Sequence, residues 1–181
     1  MQQTMIRVKS PKPSLDFYCN VLGMELVYHV HYPNWKFSLY FVAYCNRDSI
    51  PKIDVSTREG SDEMRKFCFT LPGCIEITHN HGSEEQKGKV YNTGNGDGGI
   101  KGGFGHIGIT VPDVYKACER FKEMGVEFHK SPNQGGMKGL AFLKDPDGYL
   151  VEVLPIGDFK KQEVDCCGVQ IDGGIYKDNS K

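Results

Sequence analysis

The chain repeats itself, because its two halves show the same order of predicted elements. The first half begins MQQTMIRVKSPKPSLDFYCNVLGMELVYH, and the second begins GFGHIGITVPDVYKACERFKEMGVEFHK. Each segment has the pattern of a strand, a turn, a short amphipathic helix ended by glycine, and another strand. The two segments align with Val8 opposite Val111. The simplest fold is therefore α+β, with a βαβββ unit present twice.

Four side chains with metal-binding groups occupy matching places in the two copies. Gln3 lies opposite His106, and Glu76, in GCIEIT, lies opposite Glu152, in GYLVEVL. One imidazole, two carboxylates and one amide oxygen form a ligand set that suits Zn²⁺, Ni²⁺, Co²⁺, Mn²⁺ or Fe²⁺. Four such ligands without a thiolate leave room for water or substrate, which is typical of a catalytic site. The repeat thus predicts one divalent metal site built from both copies.

Each of these residues also has an ordinary structural interpretation. A strand glutamine is usually solvated, and a lone strand histidine more often packs than binds a metal. Glu76 and Glu152 lie in apolar runs, where an unpaired carboxylate is costly and a metal would remove that cost. Outward-facing glutamates on half-exposed strands are the alternative. A rival metal site would use His79 and His81 near Glu76, although a solvated turn suits His81 better.

The positions of strands and modules follow from the alternation of apolar residues. Strands are predicted at 2–9, 24–31, 36–44, 65–72 and 74–80 in the first copy, and at 126–130, 139–144 and 149–154 in the second. The polar stretch 45–64 is expected to be a long connection. The second helix is expected to start after Asp113, to end at Gly125 and to bury Val114, Ala117, Cys118, Phe121 and Met124. The modules span residues 1–80 and 104–156, with a linker at 81–103 between them and a polar tail at 157–181.

Composition excludes several classes of protein. The chain is 39% hydrophobic and 25% charged with a net charge of -1, which indicates a globular protein and gives no support to a nucleic-acid or membrane partner. No apolar run is long enough to cross a bilayer, and no signal-peptide pattern is present. The seven cysteines include no CxxC pair. Reduced thiols in the cytoplasm are therefore expected rather than a disulfide framework.

Several long motifs resemble those of glyoxalase I, also called lactoylglutathione lyase. They are QQTMIRVKSPKPSLDFYCNVLGM, PNWKFSLYFVAY, IEITHN, GFGHIGITVPDVYKACERF and MKGLAFLKDPDGYLVEVL, which extend from Gln2 to about Leu154. The chain resembles the longer, zinc-type eukaryotic form rather than the shorter nickel-type bacterial form. The resemblance implies the vicinal-oxygen-chelate fold of paired βαβββ modules. It also implies a homodimer, in which Gln3 and Glu76 of one chain meet His106 and Glu152 of the other.

The same resemblance implies a reaction and roles for residues. The hemithioacetal of methylglyoxal and glutathione would be isomerised to S-lactoylglutathione through a metal-bound enediolate, which is a detoxification of methylglyoxal. Glu152 would be the base that moves the proton, and Glu76 would serve the opposite substrate face or remain a ligand. The metal is expected to be Zn²⁺, with Ni²⁺, Co²⁺ and Mn²⁺ as alternatives.

Substrate contacts are implied at further positions of the sequence. Arg7, Asn80 and Lys130 match positions that contact the carboxylates of glutathione, and Gly136 and Met137 match a loop that approaches the substrate by its backbone. The family arginine four residues before the histidine is replaced by Gly102, and Lys101 is the residue expected to supply its contact. An apolar pocket for the methylglyoxal end is expected from Trp35, Leu39, Phe41, Leu140 and Phe142, which are equally suited to an ordinary core.

Two other functional hypotheses keep the same fold. The first is another metal-dependent enzyme of the superfamily, such as an epimerase or a thiol transferase. An extradiol dioxygenase is disfavoured, because that site uses two histidines and one carboxylate on Fe²⁺. The second is a binding module without enzymatic activity, which would bind no metal tightly and would tolerate a change of Glu152.

Overall fold

The computed structural model describes residues 1–94 and 103–157, and the backbone of residues 171–172 and 175–176. The first half contains β1 (Gln3–Val8), α1 (Pro11–Leu15), β2 (Glu25–Tyr32), β3 (Phe37–Ala43), α2 (Arg58–Thr70) and β4 (Cys74–Asn80). The second half contains β5 (Ile107–Val111), α3 (Val114–Glu123), β6 (Phe128–Lys130), β7 (Ala141–Lys144) and β8 (Leu150–Pro155). Two short strands follow, β9 (Ile171–Asp172) and β10 (Ile175–Tyr176).

The two halves form four-stranded sheets with the same topology. The strand order is β1-β4-β3-β2 in the first sheet and β5-β8-β7-β6 in the second. In each, the first and last strands of the copy pair in parallel, and the other pairs are antiparallel. Met5 pairs with Glu76, and Gly108 pairs with Glu152. Because Met5 and Gly108 are also equivalent in the sequence repeat, the register confirms the predicted α+β fold of two βαβββ modules.

The helix α2 corrects two predictions made from the sequence. Residues 65–72 were expected to form a strand and 45–64 a connection, but Arg58–Thr70 is helical. Met64 and Cys68 are buried one turn apart on the same face of the helix. The helix begins at Thr57, whose hydroxyl accepts a hydrogen bond from the amide of Gly60 at 3.1 Å. Without the false strand, the first module has the four strands that the repeat requires.

The helices α1 and α3 are equivalent in the repeat but differ in detail. The first continues beyond Leu15 as a π-helix, Asp16–Val21. The second is capped by Asp113, which accepts hydrogen bonds from two backbone amides as predicted. Gly23 and Gly125 follow the two helices with positive φ angles of 81° and 77°, which favour glycine. Met124, expected to be buried, is 45% exposed because it lies beyond the last turn of α3.

The modules share one hydrophobic core. Ile6 and Ile77 of the first sheet and Val151 and Val153 of the second belong to the same buried cluster as Tyr18. Polar contacts also cross between the modules: the Tyr18 hydroxyl donates to Asp145 at 3.0 Å, the Tyr149 hydroxyl donates to the Arg7 carbonyl at 3.0 Å, and the Lys9 amide donates to Asp147 at 2.9 Å. One face of each sheet fills this core. On the opposite face of the first sheet, Met64 and Cys68 of α2 cover Phe41 and Cys74 in a second buried cluster, and the rest of that face can carry a site.

Candidate metal and substrate site

The first pair of predicted ligands lies on the outer face of the first sheet. Gln3 is at the start of β1 and Glu76 is in the middle of β4, and the Gln3 amide nitrogen donates a hydrogen bond to Glu76 Oε2. Burial raises the pKa of Glu76 above its ordinary value, against hydrogen bonds from Thr78 and Gln3 and the positive charge of Arg7. A half-buried carboxylate that resists ionisation is stabilised by a nearby cation.

The second pair lies at the equivalent place of the second sheet. His106 immediately precedes β5, and its Nε2 is 3.1 Å from Glu152 Oε2 on β8. The Phe142 ring meets the His106 ring edge-on, with 5.3 Å between the ring centroids. Phe142 is also the register partner of Glu152 on β7, so both flank one side of the imidazole. The structure therefore gives each module one carboxylate with one neighbouring ligand.

The two pairs remain separate in the single chain. Across residues 1–94 and 103–157, no three His, Cys, Asp or Glu side chains converge on a point where a metal would bind. Each pair on its own suits a divalent cation, because its donors are adjacent and carry only oxygen or imidazole nitrogen. Gln3 needs only a rotation of its amide to present oxygen instead of nitrogen to such an ion. Within the described residues, the two candidate pairs therefore do not meet in one cluster of ligands.

The rival pair of histidines is engaged elsewhere. His79 Nε2 contacts Glu84 at 2.7 Å, and His81 Nε2 contacts the Ser38 hydroxyl at 2.8 Å. Side chains alternate along β4, so His79 faces the core side of the sheet and Glu76 faces the opposite side. His81 is half-buried and hydrogen-bonded rather than solvated. These positions do not support a metal site that combines His79 or His81 with Glu76.

The predicted contacts for glutathione fall into three situations. Arg7 is exposed on the same face of β1 as Gln3. Asn80 ends β4, and its Nδ2 donates to the Tyr91 hydroxyl at 3.1 Å. Lys130 is occupied by the loop that follows it, because its Nζ donates to the carbonyls of Met137 and Leu140 at 2.7 and 2.8 Å. Lys130 thus holds together the two ends of the loop that contains Gly136 and Met137. Lys101 lies outside the described residues.

The predicted apolar pocket is divided by the fold. Phe41 and Leu140 are buried in the core. Leu39 and Phe142 are partly exposed on the outer faces of the two sheets. Trp35 is 71% exposed and stacks on Tyr32 and Phe37 at the end of the β2–β3 hairpin. A ligand could therefore contact Trp35 from solvent, whereas Phe41 and Leu140 are shielded from it.

A cavity of about 710 Å³ lies beside His106. The residues that line it come from the segment between the modules and from the second module. They are Lys89, Thr93, Gly94, His106, His129, Lys130, Phe142, Lys144, Gly148 and Leu150. Of the three lysines that line it, Lys130 donates to the carbonyls of Met137 and Leu140, and Lys144 forms an ion pair with Glu127 at 2.5 Å. The sequence analysis missed Lys89 and Lys144. For Lys144 the alternation of β7 was a usable signal, because it places that residue on the same face as Phe142.

Comparison with known proteins identifies relatives of the whole two-module unit. Residues 1–153 match the family model of the Glyoxalase/Bleomycin resistance protein/Dioxygenase superfamily. A lactoylglutathione lyase of Pseudomonas putida is 46% identical over 151 residues, which cover 83% of this chain and 82% of the relative. A glyoxalase I of Saccharomyces cerevisiae is 40% identical over 157 residues, which cover 85% of this chain but only 42% of the relative.

Solved structures agree with these sequence relatives. A trypanothione-dependent glyoxalase I of Leishmania major superposes with a TM-score of 0.58 at 26% identity, covering 86% of this chain and 85% of the other. Glyoxalase I of Zea mays superposes with a TM-score of 0.61 at 25% identity, covering 87% of this chain and 45% of the other. The match in both sequence and topology extends over the two sheets that carry the paired ligands.

Proposed function

The chain belongs to the Glyoxalase/Bleomycin resistance protein/Dioxygenase superfamily, and from this membership we infer that it is an enzyme with glyoxalase I activity. It isomerises the hemithioacetal of methylglyoxal and glutathione to S-lactoylglutathione and thereby detoxifies methylglyoxal. The observation that carries this inference is 46% identity to a lactoylglutathione lyase over 83% of the chain. Glu76 and Glu152 occupy equivalent places in the two sheets, because they pair with the equivalent residues Met5 and Gly108. A proton transfer needs a carboxylate of this kind as its base.

Glu152 is the base in this proposal. It takes the proton from the carbon next to the carbonyl and returns it to the neighbouring carbon, so the substrate is isomerised without net loss or gain of a proton. Its contact with His106 at 3.1 Å holds the carboxylate in a fixed direction on β8. Glu76, at the equivalent position of the other sheet, would face the opposite side of the substrate or stay a metal ligand.

Gln3, Glu76, His106 and Glu152 would together hold one divalent metal. We propose Zn²⁺, and the same donors suit Ni²⁺, Co²⁺ and Mn²⁺. When bound, the metal would act as a Lewis acid toward the substrate oxygens and stabilise the negative charge that develops on them. The chain itself supplies the base Glu152, the contact with His106 that orients its carboxylate, and the surrounding charges.

A second copy of the chain would complete the site. In this proposal the Gln3–Glu76 pair of one protomer meets the His106–Glu152 pair of its partner, and a homodimer holds two such sites. The separation of the two pairs within one chain supports it. A symmetric dimer would also cover the outer face of the first sheet, where Met5 is exposed.

Glutathione and the cellular location complete the proposal. Arg7, Asn80 and Lys130 would bind the carboxylates of glutathione, and Lys130 would have to release the carbonyls of Met137 and Leu140 to do so. A cytoplasmic location fits the free thiols at Cys19, Cys45, Cys68, Cys74 and Cys118. The helices of the described residues are all too short or too polar to cross a membrane.

The decisive experiment combines turnover with metal replacement. Purified protein is assayed for thioester formation from methylglyoxal and glutathione by ultraviolet absorbance, before chelation, after it, and after return of Zn²⁺, Ni²⁺, Co²⁺ or Mn²⁺. Chelation should abolish turnover and a divalent ion should restore it. Glu152→Gln should lower kcat about a thousandfold with an unchanged circular dichroism spectrum.

Glu123→Gln is the matched control, because Glu123 is exposed on α3 and away from the paired ligands. It should turn over at the rate of the unchanged protein. Equal activity of the Glu152→Gln variant would exclude Glu152 as the base, and absence of turnover with every metal would reject the glyoxalase I activity.

A further inference from the structure

A segment between the modules is fixed to both of them; we call residues 88–94 the bridging segment. At its start, the Gly88 carbonyl accepts a hydrogen bond from Lys9 Nζ at 3.1 Å, which ties it to the end of β1. Near its end, the Thr93 hydroxyl donates to the Gly148 carbonyl at 3.2 Å, and Thr93 is only 4% exposed. The segment therefore has a defined path past the end of β4, where Asn80 lies.

Tyr91 is the residue of this segment that meets the first sheet. Its hydroxyl accepts a hydrogen bond from Asn80 Nδ2 at 3.1 Å. Asn80 lies at an even position of β4, like Glu76 and Thr78, and alternation along a strand places these three on the same face. Tyr91 thus contacts Asn80, which ends the row that contains Glu76 and Thr78. Arg7 lies on the adjacent strand, opposite Thr78.

The direction of the hydrogen bond determines what the pair can offer a ligand. An asparagine amide has two N–H groups, and Tyr91 takes one of them, so the second stays available as a donor. Because the Tyr91 oxygen accepts from Asn80, its own hydrogen is also available to an acceptor. Two neutral donors on the face of the sheet that also carries Arg7 match the needs of a carboxylate, which accepts several hydrogen bonds.

We propose that Tyr91 is a positioning residue for the glutathione part of the substrate: it fixes the Asn80 amide with a donor turned to the outer face of the first sheet, where a carboxylate of glutathione binds. The inference rests on the proposed function. Free Asn80 would distribute among several rotamers and both amide orientations, and binding would have to fix them at a cost in entropy. Tyr91, itself held by a segment anchored at both ends, removes that cost before the substrate arrives.

The test uses Tyr91→Phe, which removes only the hydroxyl oxygen and its hydrogen. Loss of one such hydrogen bond should raise KM for the hemithioacetal about three- to tenfold, whereas kcat should stay within about twofold because the reacting carbons are not touched. Tyr44→Phe is the matched control. It likewise removes one hydrogen-bonded tyrosine hydroxyl, which here donates to the Leu22 carbonyl at 2.9 Å, on a part of the chain without a proposed role in binding.

A double-mutant cycle separates positioning from a merely structural effect. In the Asn80→Ala background, Tyr91→Phe should change KM no further, because the side chain that it orients is absent. Calorimetric titration with S-methylglutathione, which binds but does not react, should show the same three- to tenfold weakening for Tyr91→Phe and the same loss of additivity. An unchanged KM, an equal fall in kcat, or full additivity with Asn80→Ala would each overturn the inference.

The outcome also distinguishes this inference from the function on which it depends. Turnover by the unchanged protein together with a normal KM in Tyr91→Phe would remove the role of Tyr91 and leave the activity in place. If the unchanged protein shows no turnover and does not bind S-methylglutathione, the proposed function is rejected, and the inference is rejected with it.

Discussion

At the scale of single residues, Asp145 is the carboxylate whose environment most opposes its charge. It is 5% exposed, and burial raises its pKa from 3.8 to about 6, even though it accepts hydrogen bonds from the Tyr149 amide and the Tyr18 hydroxyl. The folded protein therefore holds a proton at Asp145 more tightly than the unfolded chain does. The free energy of unfolding should accordingly fall as pH rises from about 4 to about 6, and this loss should be complete above pH 6.

Asp145→Asn should remove this dependence. The asparagine oxygen can accept from the amides of Asp147 and Tyr149, and its amide nitrogen can donate to the Tyr18 hydroxyl, so the hydrogen bonds survive without a charge. We expect the variant to be more stable than the unchanged protein by about 3 kcal/mol at pH 7, and by much less at pH 4. Urea unfolding of both proteins at a series of pH values measures the difference. A difference that does not vary between pH 4 and pH 7 would contradict the assignment to Asp145.

The four candidate ligands could be identified from the sequence, whereas the residues around them could not. The repeat aligns Gln3 with His106 and Glu76 with Glu152, so these four positions could be singled out in advance. The structure then places Gln3 beside Glu76 in the first copy and His106 beside Glu152 in the second. Tyr91 gave no such signal. Its contact with Asn80 depends on the path of an irregular segment that is fixed by Lys9 and Gly148, and local periodicity does not encode such a path.

At the scale of elements, strands were predicted well where one face is buried and the other is not. The alternation in β1, where Met5 and Arg7 are exposed and Ile6 and Val8 are buried, follows from the two environments of a half-buried strand. The same reasoning failed for α2, because the predicted strand 65–72 left out Met64, which shares a buried helical face with Cys68. Met64 and Cys68 fit a helix period as well, and the cap at Thr57 was the signal that would have decided between the two.

Gly60 tests how α2 is held. A Cβ at this position would lie 2.1 Å from the Asp54 carbonyl oxygen, so the preceding loop passes too close for any side chain. Helix propensity alone would make Gly60→Ala stabilising by about 1 kcal/mol. We expect the opposite, a loss of about 1–3 kcal/mol, because backbone must move to relieve the contact.

Urea denaturation compares Gly60→Ala with Glu63→Ala, an exposed site on the same helix whose change should stay within about 0.5 kcal/mol. A more stable Gly60→Ala variant would show that the loop before α2 yields without cost.

At the scale of the whole molecule, the fold keeps the two candidate pairs of ligands apart within the described part of one chain. The inner faces of both sheets, with α1 and α3, form a single core. Polar contacts such as Tyr18–Asp145 and the two bonds from Arg120 to the Val21 carbonyl lock the modules in one arrangement. The paired ligands are left on outer faces, and a rigid junction cannot bring these faces together. A partner chain can, and a twofold axis would create two identical sites at once.

Mixing two inactive variants tests this arrangement. Glu76→Gln and Glu152→Gln chains should each be inactive alone. In a mixed dimer, one site would receive both substitutions and the other site would receive neither. If subunits assort at random, half of the dimers are mixed and each has one intact site, so activity should recover to about a quarter of the unchanged protein. The chains are unfolded together and refolded, mixed dimers are verified by native mass spectrometry, and turnover is measured. Mixed dimers without recovered turnover would place all four ligands of each site within a single chain.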